Sequence, residues 1–278
     1  MHGSVERYTK LLARAAQERP DAIFLGGDLL PPAPAVTRAL GWAGGDFVSD
    51  HLLARFLELR DRLEAAAPDV FLILGNDDPR FEEAAVLDAA ARGAWTYLHD
   101  RRLEWRGRPL LGYACIPPTP FLLKDWERYD VSRFVDPGCL SPEEGLRTRP
   151  ERTAAIRYGS IARDLDSLAG HADLTHAICL FHAPPYDTAL DLAELAGRTV
   201  EHVPVDPHVG SIAVRRFVEA RQPAVTLHGH VHEAARLSGE WRVRLGETWC
   251  LGGAHDGPEL ALVRFDPAAP AAATRELL

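Results

Sequence analysis

Four apolar runs set most of what this chain can fold into. AIFLGGD, VFLILGND, AICLFH and AVTLHGHVH are each long enough for a strand covered on both faces, and each ends on Asp28, Asn76, His182, or His230 with His232. Helical periodicity precedes the first two. In residues 4–19, Val5, Tyr8, Leu11, Leu12 and Ala15 recur at helical spacing behind an expected Ser4 cap. A second helix is expected over 49–66, opening at Ser49 with Leu52, Leu53, Phe56, Leu57 and Leu63 on one face. Helix and buried strand in alternation predict parallel strands with crossover helices, and so an α/β fold.

In an open α/β sheet, ligands gather beyond the carboxyl ends of the strands, so four such ends bring these side chains into one crevice. A carboxylate, an amide oxygen and several imidazoles suit Mn, Fe, Zn or Co better than Ca. A lone Gly-Asp, Gly-Asn-Asp or strand-end histidine has an ordinary structural reading as a turn or a hydrogen-bonded imidazole. The tract His228-Gly229-His230-Val231-His232 is more specific: residues two apart in an extended segment point the same way, and a glycine lets the backbone approach closely.

Elsewhere, residues 95–114 are expected to form short strands with a turn at Arg106-Gly107. Residues 115–150 read as a surface excursion whose Phe121, Trp126, Tyr129 and Phe134 either line a pocket or pack the loop onto the body. Helices are expected near 151–169 and 210–221. RLSGEWRVRL, TWCLGG and LALVRF suggest antiparallel strands. One domain over 1–266 is expected, followed by a flexible tail over 267–278.

The 278 residues are 46% hydrophobic and carry a net charge of −9. That field argues against sequence-independent nucleic-acid binding, while leaving room for a small anionic substrate at a local cation. No apolar stretch is long enough to cross a membrane. Lys10 and Lys124 are the only lysines, an arginine bias without functional content. Cys115, Cys139, Cys179 and Cys250 form no close pair, which fits a reducing cytoplasm; Cys179 reads as a small buried hydrophobe, and none is the expected nucleophile.

The residues resemble the calcineurin-like metallophosphoesterases, whose pattern runs DxH, GD, GN, H and GHxH. Here the matching pieces are Gly27-Asp28, Gly75-Asn76-Asp77-Asp78, His182 in FHAPP, and Gly229-His230-Val231-His232, over about residues 1–260. HVGSIAVRRFVEARQPAVTLHGHVHE is similar to a bacterial subgroup related to cyclic-nucleotide phosphodiesterases. The resemblance implies two packed mixed β-sheets flanked by helices, a four-layer α/β/β/α sandwich. It also implies two divalent metals (Mn2+ first, with Fe, Zn, Co or Ni as alternatives) and hydrolysis of a small phosphorylated substrate, with a diester favoured. Asp28 would bridge the metals, Asn76, His182 and His230 would complete one site, and His2 with His232 would serve the other.

Two departures follow from the same comparison. His2 aligns with the His of DxH, but the Asp would stand one place before Met1, and the strand leading to it is missing too; a late start is the expected reason. The His2 site is therefore expected to be the weaker. Asp77 stands where many members carry a histidine, which leaves leaving-group protonation to water or to a nearby histidine such as His228, whose other reading is structural. Pocket walls are expected from 29–48, 115–150 and 183–209; among 29 arginines, Arg133 or Arg147 would be an arbitrary choice of phosphate contact. A metal-binding scaffold without turnover, and a redox or oxygen-handling dimetal protein, are the competing readings.

Overall fold

The structure, a computed structural model, describes residues 1–31 and 45–278. Ser4 Oγ accepts the Arg7 N–H to open α1 (Val5–Glu18), which buries Tyr8, Leu11, Leu12 and Ala15 and stops where Arg19 turns left-handed. β1 (Ala22–Gly26) follows. The helix expected over 49–66 begins earlier, as a wide π turn over Phe47–Leu52 capped by Asp46, and continues as α2 (Leu53–Leu63). Part of the expected pocket wall at 29–48 lies outside the described residues.

β2 (Asp69–Ile73) pairs with β1 in parallel, from Ala22↔Asp69 to Gly26↔Ile73. After α3 (Glu83–Ala91), β3 (Thr96–Tyr97) adds to the far edge of β2. Among the described residues this first sheet is wholly parallel. β4 (Arg101–Trp105) and β5 (Arg108–Tyr113) form a hairpin whose turn residues, Arg106 and Gly107, both have positive φ, as the twist of a two-residue turn requires.

The helix expected over 151–169 is two helices, α4 (Thr153–Tyr158) and α5 (Ile161–Ala169), because Gly159 is extended and Ser160 caps the second through the Arg163 N–H. β6 (Ile178–Phe181) follows, and then a small hairpin, β7 (Thr199–Val200) with β8 (Val203–Pro204). The chain continues with α6 (Ile212–Arg221), β9 (Val225–His228), α7 (Ala234–Ser238), β10 (Arg242–Leu245) and β11 (Thr248–Gly252). The second sheet runs β10-β11-β9-β6-β5-β4. Its four central strands are parallel, so β11 is antiparallel to β10 alone and parallel to β9.

β1 and β2 pack on β5 and β6, with helices α1 to α3 outside one sheet and α5 and α6 outside the other. One continuous apolar core, including Leu25, Leu72, Leu110, Leu180 and Leu227, fills the space between. Burying it is the main source of stability.

The expected flexible tail is corrected. β12 (Ala261–Arg264) pairs antiparallel with β13 (Thr274–Leu277), and Leu278 and Leu260 exchange both backbone hydrogen bonds. Arg264 then pairs with Glu276 at 2.7 Å and with Glu18 on α1 at 2.7 Å, which ties the chain end to the first helix.

Between the free edge of β1 and β12 lies a cavity of about 800 Å³ lined by Leu11, Ile23, Leu25, Leu180, Leu227 and Leu262. Met1 and His2 are among its lining residues. The His2 N–H donates to the Asp28 carbonyl and the Gly3 N–H to the Leu29 carbonyl.

The 115–150 excursion packs onto the body. Trp126 and Tyr129 are buried, Lys124 pairs with Glu127 at 2.6 Å with both side chains inaccessible, and the Trp126 indole N–H donates to the Asp78 carbonyl at 2.7 Å. Phe121 and Phe134 are exposed, and none of the four aromatics lines the cavity.

Candidate metal centre

The carboxyl ends of β1, β2, β6 and β9 meet, and the loops that leave them carry the predicted ligands. Asp28 follows Gly27, and both have positive φ, a sharp turn that points the carboxylate back over the strand ends. Space there is tight: a β-carbon on Gly27 would stand 2.5 Å from His182 Nδ1, and one on Gly75 would overlap Asp28 Oδ1.

One group of donors forms around Asn76. Its Oδ1 lies 3.0 Å from His182 Nε2 and 2.8 Å from His230 Nδ1, while Asp28 Oδ2 lies 3.3 Å from His182 Nε2. The amide is oriented by its own Nδ2, which donates to Asp77 Oδ1 at 2.8 Å. His182 gives its Nδ1–H to the Gly26 carbonyl at 2.6 Å. A neutral His182 therefore turns a bare lone pair toward two oxygens, and only a second proton or a cation relieves that contact. Without metal the proton does so: burial opposes it, but Asp28 beside the ring raises His182 above its ordinary value. The same pairing, against the cost of burial, holds the Asp28 carboxyl well below the usual carboxylate range.

A second group forms around His2. Its Nε2 lies 3.0 Å from His232 Nε2, and His232 Nε2 lies 4.0 Å from Asp28 Oδ2. Ligand atoms of His2, Asp28 and His232 all fall within 4.8 Å of one another. With a metal–nitrogen bond of about 2.1 Å, two ligands at right angles stand about 3.0 Å apart, so the imidazole pair fits a single cation. Asp28, only 4% exposed, is the residue common to both groups.

Three expectations change. His230 has φ +67° and β9 ends at His228, so His230 and His232 do not share one extended face; the left-handed turn sends one ring to each group. His228 does not join either. Its Nδ1 is taken by the Ala183 carbonyl at 2.9 Å and its Nε2 by Thr226 Oγ1 at 2.7 Å, so it has no free proton for a leaving group. Third, sequence reading gives Asp78 no role. Its fully buried carboxylate accepts the backbone N–H groups of Leu29, Leu30 and Gly75, joining the two loops that carry Asp28 and Asn76. The visible signal is a second carboxylate two places after Asn76.

Burial favours the neutral form of several imidazoles. It pushes His2 and His228 down to about 4, and His99 and His230 down to about 3. The unfolded chain binds protons at these residues near pH 6.5 and the folded chain does not, so each withdraws up to about 1.4 kcal/mol of stability per pH unit as pH falls below that value. Asp77 and Asp78, pushed up to about 6 and 7 by burial and Asp28, hold protons in the folded state and offset part of this. The chelator-treated protein is expected to unfold at lower denaturant at pH 5 than at pH 7. An equal or higher midpoint at pH 5 would contradict this account of the burial.

Residues 1–234 match the family model described as calcineurin-like phosphoesterase. A solved crystal structure superposes with a TM-score of 0.56 at 16% identity, covering 99% of this chain and 95% of that one. The crystal structure of TT1561 of Thermus thermophilus gives a TM-score of 0.52 at 18% identity, covering 99% of this chain and 93% of that one. At such identities the likeness speaks for the fold alone. No curated protein matches the sequence.

Proposed function

Because the chain belongs to the calcineurin-like phosphoesterase family, whose members hydrolyse phosphoesters with divalent metals, we propose that it is a dinuclear phosphodiesterase centred on Asp28. The observation that carries this is the position of Asp28 Oδ2, 3.3 Å from His182 Nε2 on one side and 4.0 Å from His232 Nε2 on the other. Asn76, His182 and His230 would hold one cation and His2 with His232 the other, Asp28 serving both. Imidazole, amide and carboxylate donors suit divalent transition metals as a class, and the family resemblance puts Mn2+ first among them.

When bound, the two cations lower the pKa of water to make a nucleophile at neutral pH and neutralise charge that develops on the phosphoryl oxygens. The chain's own residues supply the frame. Asp28, fixed by the Asp77 N–H at 2.9 Å, and Asn76, fixed by its contact with Asp77, keep the donor atoms in place before substrate arrives. No cysteine is needed as nucleophile: Cys115, Cys179 and Cys250 are buried, and burial pushes Cys179 and Cys250 to thiol pKa values above the ordinary range. With His228 sealed in the core, leaving-group protonation falls to water.

Diester preference follows from charge. Asp77 is half-exposed beside His2 and repels a monoester dianion more than a diester monoanion. Mn2+-loaded protein is expected to hydrolyse bis(p-nitrophenyl) phosphate in preference to p-nitrophenyl phosphate, with both activities lost to chelator. Preference for the monoester would contradict the diester reading, and turnover that survives chelation would contradict the metal mechanism. Bound metal with no turnover on either ester would favour a scaffold.

A further inference from the structure

His2 has a polar neighbour at each ring nitrogen, one at hydrogen-bond distance and one slightly beyond it. Nε2 faces His232 Nε2 at 3.0 Å, while Nδ1, on the other side of the ring, lies 3.5 Å from Asp77 Oδ2. Asp77 is itself pinned: its Oδ1 accepts the Asn76 amide at 2.8 Å and its backbone N–H donates to Asp28 Oδ1 at 2.9 Å. One residue thus touches the shared carboxylate, the amide of the first group and the ring of the second.

Resting on the metal-centre reading above, we propose that Asp77 is the positioning residue for His2, drawing the ring proton to Nδ1 so that the Nε2 lone pair faces His232 and Asp28. Which imidazole nitrogen carries the proton is set by the partner of the other nitrogen, and a carboxylate there also makes the ring a better donor. His182 shows a tighter version of this pattern, with the Gly26 carbonyl 2.6 Å from its Nδ1. Among the described residues no carbonyl bonds the His2 Nδ1, and the Asp77 carboxylate, 3.5 Å away, stands on that side of the ring. Asp77 does not act as a ligand, because its oxygen faces the ring nitrogen turned away from His232 and it stands outside the set formed by His2, Asp28 and His232. A carboxylate in this position gives the second site some of the negative charge that its donor set otherwise draws from Asp28 alone.

Two readouts test this without turnover. In Mn2+ titrations, Asp77→Ala is expected to weaken the second binding event by about 10- to 100-fold, the usual cost of losing such a partner, and the first by less, through the Asn76 amide that Asp77 orients. Asp77→Asn keeps an oxygen that can accept the Nδ1 proton and is expected to recover part of the loss. In the metal-free protein, imidazole 15N shifts of His2, assigned by their absence in His2→Gln, are expected to report Nδ1–H in the wild type and Nε2–H in Asp77→Ala. Two-site binding that ignores Asp77→Ala, or an unchanged tautomer, would overturn the proposal alone. A loss in Asp77→Asn equal to that in Asp77→Ala would also overturn it, in favour of direct ligation. Wild-type protein that takes up no Mn2+ would overturn the metal-centre reading and this proposal with it.

Discussion

Asp28→Asn is expected to empty both metal positions together and to lower kcat/KM by at least about a thousand-fold, the effect of losing about 4 kcal/mol of charge stabilisation in the transition state. The reason is one of charge and position. Asp28 is the carboxylate common to both donor groups, it is buried, and its two oxygens are divided between the Asp77 N–H and the imidazoles of His182 and His232. Asparagine has the same shape and keeps an oxygen for the Asp77 N–H, so the fold is expected to survive. Removing a negative ligand, by contrast, weakens every cation it touches. Elemental analysis and diester kinetics on the same preparation check both halves, and a variant that keeps its metals but loses activity would show Asp28 to act otherwise than as a shared ligand.

Asp78→Ala is expected to cost stability instead, by about 3–9 kcal/mol, because three buried N–H groups lose their acceptor at about 1–3 kcal/mol each. Those donors, on Leu29, Leu30 and Gly75, belong to the loops after β1 and β2. With the carboxylate gone, the spacing between Asp28 and Asn76 loosens, so Mn2+ affinity is expected to fall at both positions. Asp78→Asn, which retains one acceptor oxygen, is expected to lose less. Guanidinium unfolding of the metal-free proteins measures the effect; a loss below about 1 kcal/mol would mean that these N–H groups find other partners at little cost.

What is legible in the sequence divides along the range of the interactions. Asp28, Asn76, His182, His230 and His232 can be read because each closes an apolar run, and the carboxyl ends of parallel strands are where such side chains converge. His2 precedes any strand of the chain and is reached only through the family pattern. The parting of His230 from His232 is hidden because a positive φ at a non-glycine residue depends on what surrounds it. His228 does carry a local clue: Thr226 stands two residues before it on the same face of β9, where a hydroxyl satisfies one ring nitrogen. Asp78 and the β12–β13 pair act between segments far apart in sequence, and neither periodicity nor composition records such partners. Trp126 belongs with them, since its indole reaches the Asp78 carbonyl 48 residues away.

Sharing of Asp28 by two cation positions can be read from the number of Mn2+ ions bound per chain at equilibrium as free Mn2+ is raised. Two ions are expected at saturation in the wild type, the second filling at higher concentration than the first, and none in Asp28→Asn over the same range. Saturation at a single ion, or Asp28→Asn protein that still binds two, would contradict the sharing.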